Sequence, residues 1–340
     1  MQQEQTQVNG KVGLVHSKAV ENKTKSRKSI KQYIGSLGLL IVIIAFCVLL
    51  SILSPVFLTG TNLINLLTES TINATVALGV TFVIITGGID LSVGSVLAVS
   101  SAIGLGLIVH GVPVFVGVLA MILIGAAFGL LNGICITKLQ LSPLIVTLGS
   151  MGIARGIVLI YTNSANIGPV PNSFVTLATG NLFSIPYLVI AVAVLSIIAH
   201  IILKNTVFGR SVYASGGNEL AARLSGVRTK TIVTLTYVLS GIGAAIGGIL
   251  LTSQLQSAGP TAGTGLELTV IGAVVIGGTS LFGGQGNILG TILGVILISL
   301  VANAINLLSV PPAWDSFVQG SVIIIAALLD VYRRKILIRS

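Results

Sequence analysis

The sequence predicts an all-α, polytopic integral membrane protein of about ten transmembrane helices with both termini in the cytoplasm. Three observations predict it. Of 340 residues, 54% are apolar and only 8% are charged, where a soluble domain carries roughly 25% charged residues. The apolar residues gather into runs near the ~20 residues that a helix needs to cross a hydrocarbon core. Seventeen of the eighteen Lys and Arg fall in four polar segments between those runs: the head (Lys11, Lys18, Lys23, Lys25, Arg27, Lys28, Lys31), Lys138, the 204–230 block (Lys204, Arg210, Arg223, Arg228, Lys230) and the tail (Arg333, Arg334, Lys335, Arg339). Short basic loops stay on the cytoplasmic side, so this spacing sets the orientation. The net charge of +10 is therefore read as topology, and a nucleic-acid partner is not expected.

Taken in order, residues 1–32 form a basic head without hydrophobic periodicity, expected to be disordered in the cytoplasm. The apolar run at 35–53 exceeds a signal-peptide core and has no small-x-small cleavage site after it, so it reads as a retained first span. The spans are drawn at 34–53, 64–86, 92–110, 113–136, 143–162, 184–203, 231–252, 267–282, 288–308 and 314–332. They make up a membrane domain over 33–335, with a cytoplasmic loop at 204–230 and a short cytoplasmic tail at 336–340. Pro- and Gly-rich breaks separate them, among them Ser54-Pro55, Gly87-Gly88, Leu141-Ser142-Pro143 and Pro311-Pro312. An even count returns the tail to the side of the head, and Lys138 and the 204–230 loop land there too. The Gly-rich breaks at 87–91 and 283–287 fit either a turn or a helix unwound within the membrane.

Glycine recurs in small-xxx-small spacing at Gly125/Gly129/Gly133, Gly243/Gly247 and Gly290/Gly294, a pattern for close helix approach in lipid. Gly87–Gly94 and Gly277–Gly284 resemble an internal repeat of the kind found where transporter helices break. Cys47 and Cys135 lie in separate apolar runs and read as buried hydrophobes. His16, His110 and His200 are scattered, so no metal or cofactor site is expected, and no catalytic residue stands out.

Few ionisable residues fall at membrane depth: Glu69, Asp90, Arg155, Glu267 and Asp315. Such groups face a cavity or a partner. With the neutral hydrogen-bonding residues Asn73, Thr147 and Asn303, the first four are candidates for a solute path. Each has a plainer alternative. Arg155 could pair with backbone carbonyls, Asp90 could cap the helix that follows it, Glu69 and Glu267 could simply meet water, and the amides and hydroxyls could stitch helices. The sparse buried carboxylates argue against proton coupling.

Within the 204–230 loop, Asn218 suits a helix N-cap, Glu219 its first turn and Gly226 its end. Leu220 and Leu224, four apart, give this short helix one apolar stripe. It reads as a docking knob, with a membrane-surface helix as the plainer alternative. Four motifs, Gly209–Val227, Pro260–Leu268, Ala273–Gly286 and Gly87–Ser95, together resemble the membrane permease of ribose-type ABC importers, and the resemblance runs from about residue 33 to the tail. It implies a second permease copy in a homodimer, a cytoplasmic ATP-binding subunit and an extracytoplasmic sugar-binding protein, in the lipid of a bacterial plasma (inner) membrane. It further implies that Gly216, Gly217, Asn218, Glu219, Ala222, Arg223 and Gly226 dock the ATPase. The chain holds no Gly-x-x-x-x-Gly-Lys-Ser/Thr phosphate loop, so it is expected to be non-catalytic. The overall resemblance favours ribose among the sugars. A stand-alone carrier or facilitator is the alternative, distinguished by uptake without an ATPase.

Overall fold

The computed structural model describes residues 37–183, 185–311 and scattered positions between 314 and 328. The head, the tail, Asp315 and most of the expected last span lie outside the described residues. The helices in chain order are α1 (Leu37–Leu53), α2 (Gly60–Ile85), α3 (Val93–Val109), α4 (Val114–Thr137), α5 (Pro143–Thr162), α6 (Asn172–Thr179), α7 (Tyr187–Asn205), α8 (Val207–Gly217), α9 (Glu219–Leu224), α10 (Thr229–Leu255), α11 (Leu266–Ile276) and α12 (Ile288–Leu307). A two-residue hairpin, β1 (Asn181–Leu182) against β2 (Ile185–Pro186), precedes α7. The chain is thus nearly all-α, as its composition predicts.

Among the described residues six helices, α2, α4, α5, α7, α10 and α12, are long and apolar enough to cross a membrane, while α1, α3 and α11 are shorter. The eleven residues of α11 rise only about 16 Å, roughly half of a hydrocarbon core of about 30 Å. The segment 267–282, expected as one span, is therefore this short helix followed by unwound chain up to Asn287, the N-cap of α12.

The core forms where α2, α3 and α11 bury Val76, Val80, Ile84, Val96, Leu97, Val270 and Val274 together. Beside them α10 runs antiparallel to α4 along a seam made possible by small residues. The buried positions of α4 are Gly117, Met121, Gly125, Gly129, Asn132 and Gly133, a single stripe about four residues apart. A Cβ on Gly125 or Gly129 would strike the carbonyl oxygens of Gly241 and Tyr237, and one on Gly133 would lie 2.7 Å from the Thr234 Cα. The opposite face of α4 exposes Phe115, Leu119, Leu123, Leu130 and Leu131, as a lipid-facing surface does. Gly290 and Gly294 close likewise on the backbone of Gly277 and Ala273, and a Cβ on Gly247 would lie 2.7 Å from the Val76 side chain. All three small-residue patterns are packing seams.

Polar stitches add to these seams. Thr81 and Thr291 share a hydroxyl bond of 2.8 Å, and Thr137 and Thr234 one of 2.9 Å. Each contributes about 0.6 kcal/mol in such a setting.

The two Gly-rich breaks end their helices in the same way. After α2, Gly87 takes φ +81° and the Gly88 N–H donates to Val83 O at 3.0 Å; after α11, Gly278 takes φ +92° and the Thr279 N–H donates to Val274 O at 3.2 Å. Both are Schellman closures, which need a left-handed residue that glycine supplies most readily. They also touch, since the Gly284 N–H donates to Ile85 O at 2.8 Å.

Candidate functional site

The 204–230 block folds as two helices against one end of the bundle. Thr206 caps α8 by accepting the Gly209 N–H at 3.1 Å, and Val212 is buried while Phe208 tilts against Phe82, ring centroids 6.2 Å apart. Tyr213 donates its hydroxyl to Gly286 O at 2.7 Å, and burial pushes that hydroxyl up to about 12. Asn218 breaks the helix and caps α9, accepting the Ala221 N–H at 2.9 Å, and Gly226 ends it with φ +85°. Glu219 and Arg223 pair at 3.4 Å on the exposed side, and Thr229 donates to Glu219 at 3.2 Å. Ala222 is buried beneath α9, whereas Leu220 and Leu224 are 66% and 82% exposed. The cap, first-turn acid and terminal glycine read from the sequence are therefore in place, and the apolar stripe points away from the protein. Gly217 is exposed, while Gly216 is wedged against Ile85 and Gly284. Lys204, Arg210, Arg223, Arg228 and Lys230 are all exposed, and Lys138 shares their end because α4 runs antiparallel to α10.

The break between α2 and α3 carries a buried polar knot. Asp90 is only 1% exposed. One carboxylate oxygen accepts the Ser92 N–H (3.0 Å) and hydroxyl (2.6 Å), and the other accepts the Ser240 hydroxyl at 2.7 Å. Asn132 donates to the Ser92 Oγ at 3.0 Å, and Tyr237 donates to Ile89 O at 3.3 Å. Thr147 is fully buried and donates to Pro143 O at 2.9 Å, with Ile89 O 3.5 Å away. Ser240 lies near the middle of α10, so residues 87–92 are unwound chain reaching deep into the bundle. A surface turn is thereby excluded for this break.

A second irregular segment, 256–265, meets the first from the opposite end, because Gly263 and Gly94 contact backbone to backbone. Arg155 donates to Pro260 O and, at 2.9 Å, to Ala262 O, the backbone pairing weighed for it from the sequence. Glu267 interacts electrostatically with Arg155 and lies over Gly94 in the first turn of α3, a favourable place for a negative charge. Asn303 exchanges amide hydrogen bonds with Asn62, at 2.9 and 3.2 Å, tying α12 to the start of α2. Glu69 is exposed and Asn73 half-buried, four residues apart on one face of α2. The candidates thus divide into four places: Asp90 with Thr147, Arg155 with Glu267, Asn303 with Asn62, and the flank of α2 that carries Glu69 and Asn73.

Sequence reasoning missed Asn132, Tyr237 and Ser240, which complete the knot around Asp90. Only their polarity within apolar runs could have marked them. It also missed α8 and α6. The latter buries Phe174, whose carbonyl accepts the Ser253 hydroxyl at 2.8 Å.

Residues 62–327 match the family described as branched-chain amino acid transport system / permease component. The chain belongs to this family. The permease is 44% identical over 296 residues to the ribose import permease protein RbsC of Bacillus subtilis (strain 168), covering 86% of this chain and 91% of that one. It is 40% identical over 295 residues to RbsC of Escherichia coli (strain K12), covering 86% and 92%. With the L-arabinose ABC transporter permease protein AraH of Azospirillum brasilense it shares 34% over 310 residues, 91% of each chain. No solved structure matches the permease. Family and helices agree that this is a multi-pass membrane protein, and the resemblance read from its motifs is borne out.

Proposed function

We propose that the chain is the membrane permease subunit of an ATP-driven, binding-protein-dependent importer whose solute is a monosaccharide, ribose before others. The observation that carries this reading is the match, over about nine-tenths of their length, to proteins named as ribose import permeases. The geometry of α9 supports it: a capped helix presents Leu220 and Leu224 to solvent beside an ion pair, at the basic end of the bundle. Such a knob fits a groove on a soluble partner, and ATP hydrolysis belongs to that partner. Asn218, Glu219, Ala222, Arg223 and Gly226 shape the knob, with Gly216 and Gly217 setting it on the bundle.

The reading extends to the assembly. Ten crossings arise if α1, α3 and α11 with its unwound continuation cross together with the six long helices and the segment 314–332. Positive charge then keeps both termini and α9 cytoplasmic. Two copies form a homodimer, and a sugar released by the extracytoplasmic binding protein passes along the face they share. Glu69 and Asn73 on α2, and Glu267 beside them in role, are the path residues preferred here. Asp90, Thr147, Arg155 and Asn303 hold the bundle in shape around it. Closure of the ATPase rocks the spans between two openings, so a tight sugar site within the membrane is not required.

Reconstitution in proteoliposomes tests the reading. Labelled ribose is expected to enter only with the ATPase, ATP and the ribose-loaded binding protein all present, and excess unlabelled ribose is expected to compete better than arabinose or allose. Uptake by the permease alone without ATP would overturn it in favour of a facilitator.

A further inference from the structure

Where α8 ends, three stretches of backbone meet with no side chain between them. A Cβ on Gly216 would strike the Ile85 carbonyl oxygen and lie 2.7 Å from the Gly284 nitrogen. A Cβ on Gly283 would lie 2.8 Å from the Gly216 oxygen and 3.0 Å from the Gly87 nitrogen. The Gly284 N–H to Ile85 O bond of 2.8 Å closes the crossing, and Tyr213 latches α8 to it through Gly286 O at 2.7 Å. Thus one end of α8 bears simultaneously on the break after α2 and on the break after α11.

We propose that Gly216 and Tyr213 are positioning residues for transport, forming a joint that passes displacement of α8–α9 into both broken connections. The proposal rests on the reading of α9 as the ATPase contact. Its physical basis is that close-packed backbone transmits displacement, whereas flexible side chains at a contact absorb it.

The test uses the full chain co-expressed with its ATPase, purified, and reconstituted with the sugar-binding protein and ribose. ATPase retained per permease, ATP hydrolysed and ribose imported per ATP are measured together. Tyr213→Phe removes only the hydroxyl donor; it is expected to retain the ATPase fully while ribose per ATP falls about 3- to 10-fold, the range of one lost hydrogen bond. Gly216→Ala is expected to fall further, and Gly60→Ala, whose added methyl meets open space, to match the parent. An unchanged ribose-to-ATP ratio in Tyr213→Phe overturns the joint. Loss of the ATPase from Tyr213→Phe overturns it too, because Tyr213 would then belong to docking. If the parent chain itself retains no ATPase, the reading of α9 fails first, a result distinct from either.

Discussion

Among the described residues Asp90 is the one charged side chain that is fully buried, and its three hydrogen bonds offset the cost of that burial. Asp90→Ala would strand the Ser92 and Ser240 hydroxyls in a dry interior, a loss of about 3 kcal/mol. The expected outcome is a lower thermal unfolding midpoint in detergent, with Asp90→Asn falling less. An unchanged midpoint with abolished uptake would instead place Asp90 on the solute path. Tyr213 gives a pH prediction. Its folded-state pKa of about 12 lies above the ordinary 10.0, so the folded state holds the proton more tightly. The contribution is complete below pH 10 and is lost as pH rises towards 12. The coupling deficit of Tyr213→Phe is accordingly expected to stay constant in uptake assays from pH 6 to 9. Of these residues, Asp90 was legible in the sequence as a charge among apolar neighbours. Ser240 was not, because a contact across 150 positions leaves no local trace.

At the scale of elements, α9 can be tested without disturbing the fold. Glu219 and Arg223 are both more than half exposed, and such pairs contribute little to stability. Arg223→Glu is therefore expected to leave insertion and thermal stability intact while ATPase co-purification drops, and Glu219→Lys, which also frees the Thr229 hydroxyl, to lower co-purification with insertion intact. Leu220→Asp combined with Leu224→Asp is expected to cut it about tenfold or more, as loss of a central apolar anchor does. Equal co-purification in all three would exclude α9 as the docking element. The α4–α10 seam behaves oppositely. Gly129→Leu drives a side chain into the Tyr237 carbonyl and is expected to destabilise the protein by about 1–3 kcal/mol, read as a lower unfolding midpoint. The capping signals of α9 and the small-residue stripe of α4 could be read directly, since both are local patterns. The helix α8 could not. Gly209, Ser211, Ser215, Gly216 and Gly217 have poor helix propensity, and packing of Phe208 and Val212 on the bundle overrides it.

For the whole molecule, hydropathy and charge carried the class, most helix limits and the proposed orientation. They erred where an apolar run was read as continuous helix: within 267–282 the helix ends at Ile276 and most residues are buried in protein, and burial permits irregular backbone at membrane depth. Orientation is testable with reporter fusions, expected on the outer side near Asn166 and in the cytoplasm near Lys230; the reverse pattern would invert the assignment. The long helix α10 has a consequence of its own. Its 27 residues measure about 40 Å, some 10 Å more than the hydrocarbon needs, and its first residue, Thr229, is the one that grips Glu219. α10 thus ties the knob, through Thr229 at its start, and the Asp90 knot, through Ser240 near its middle, to one continuous helix.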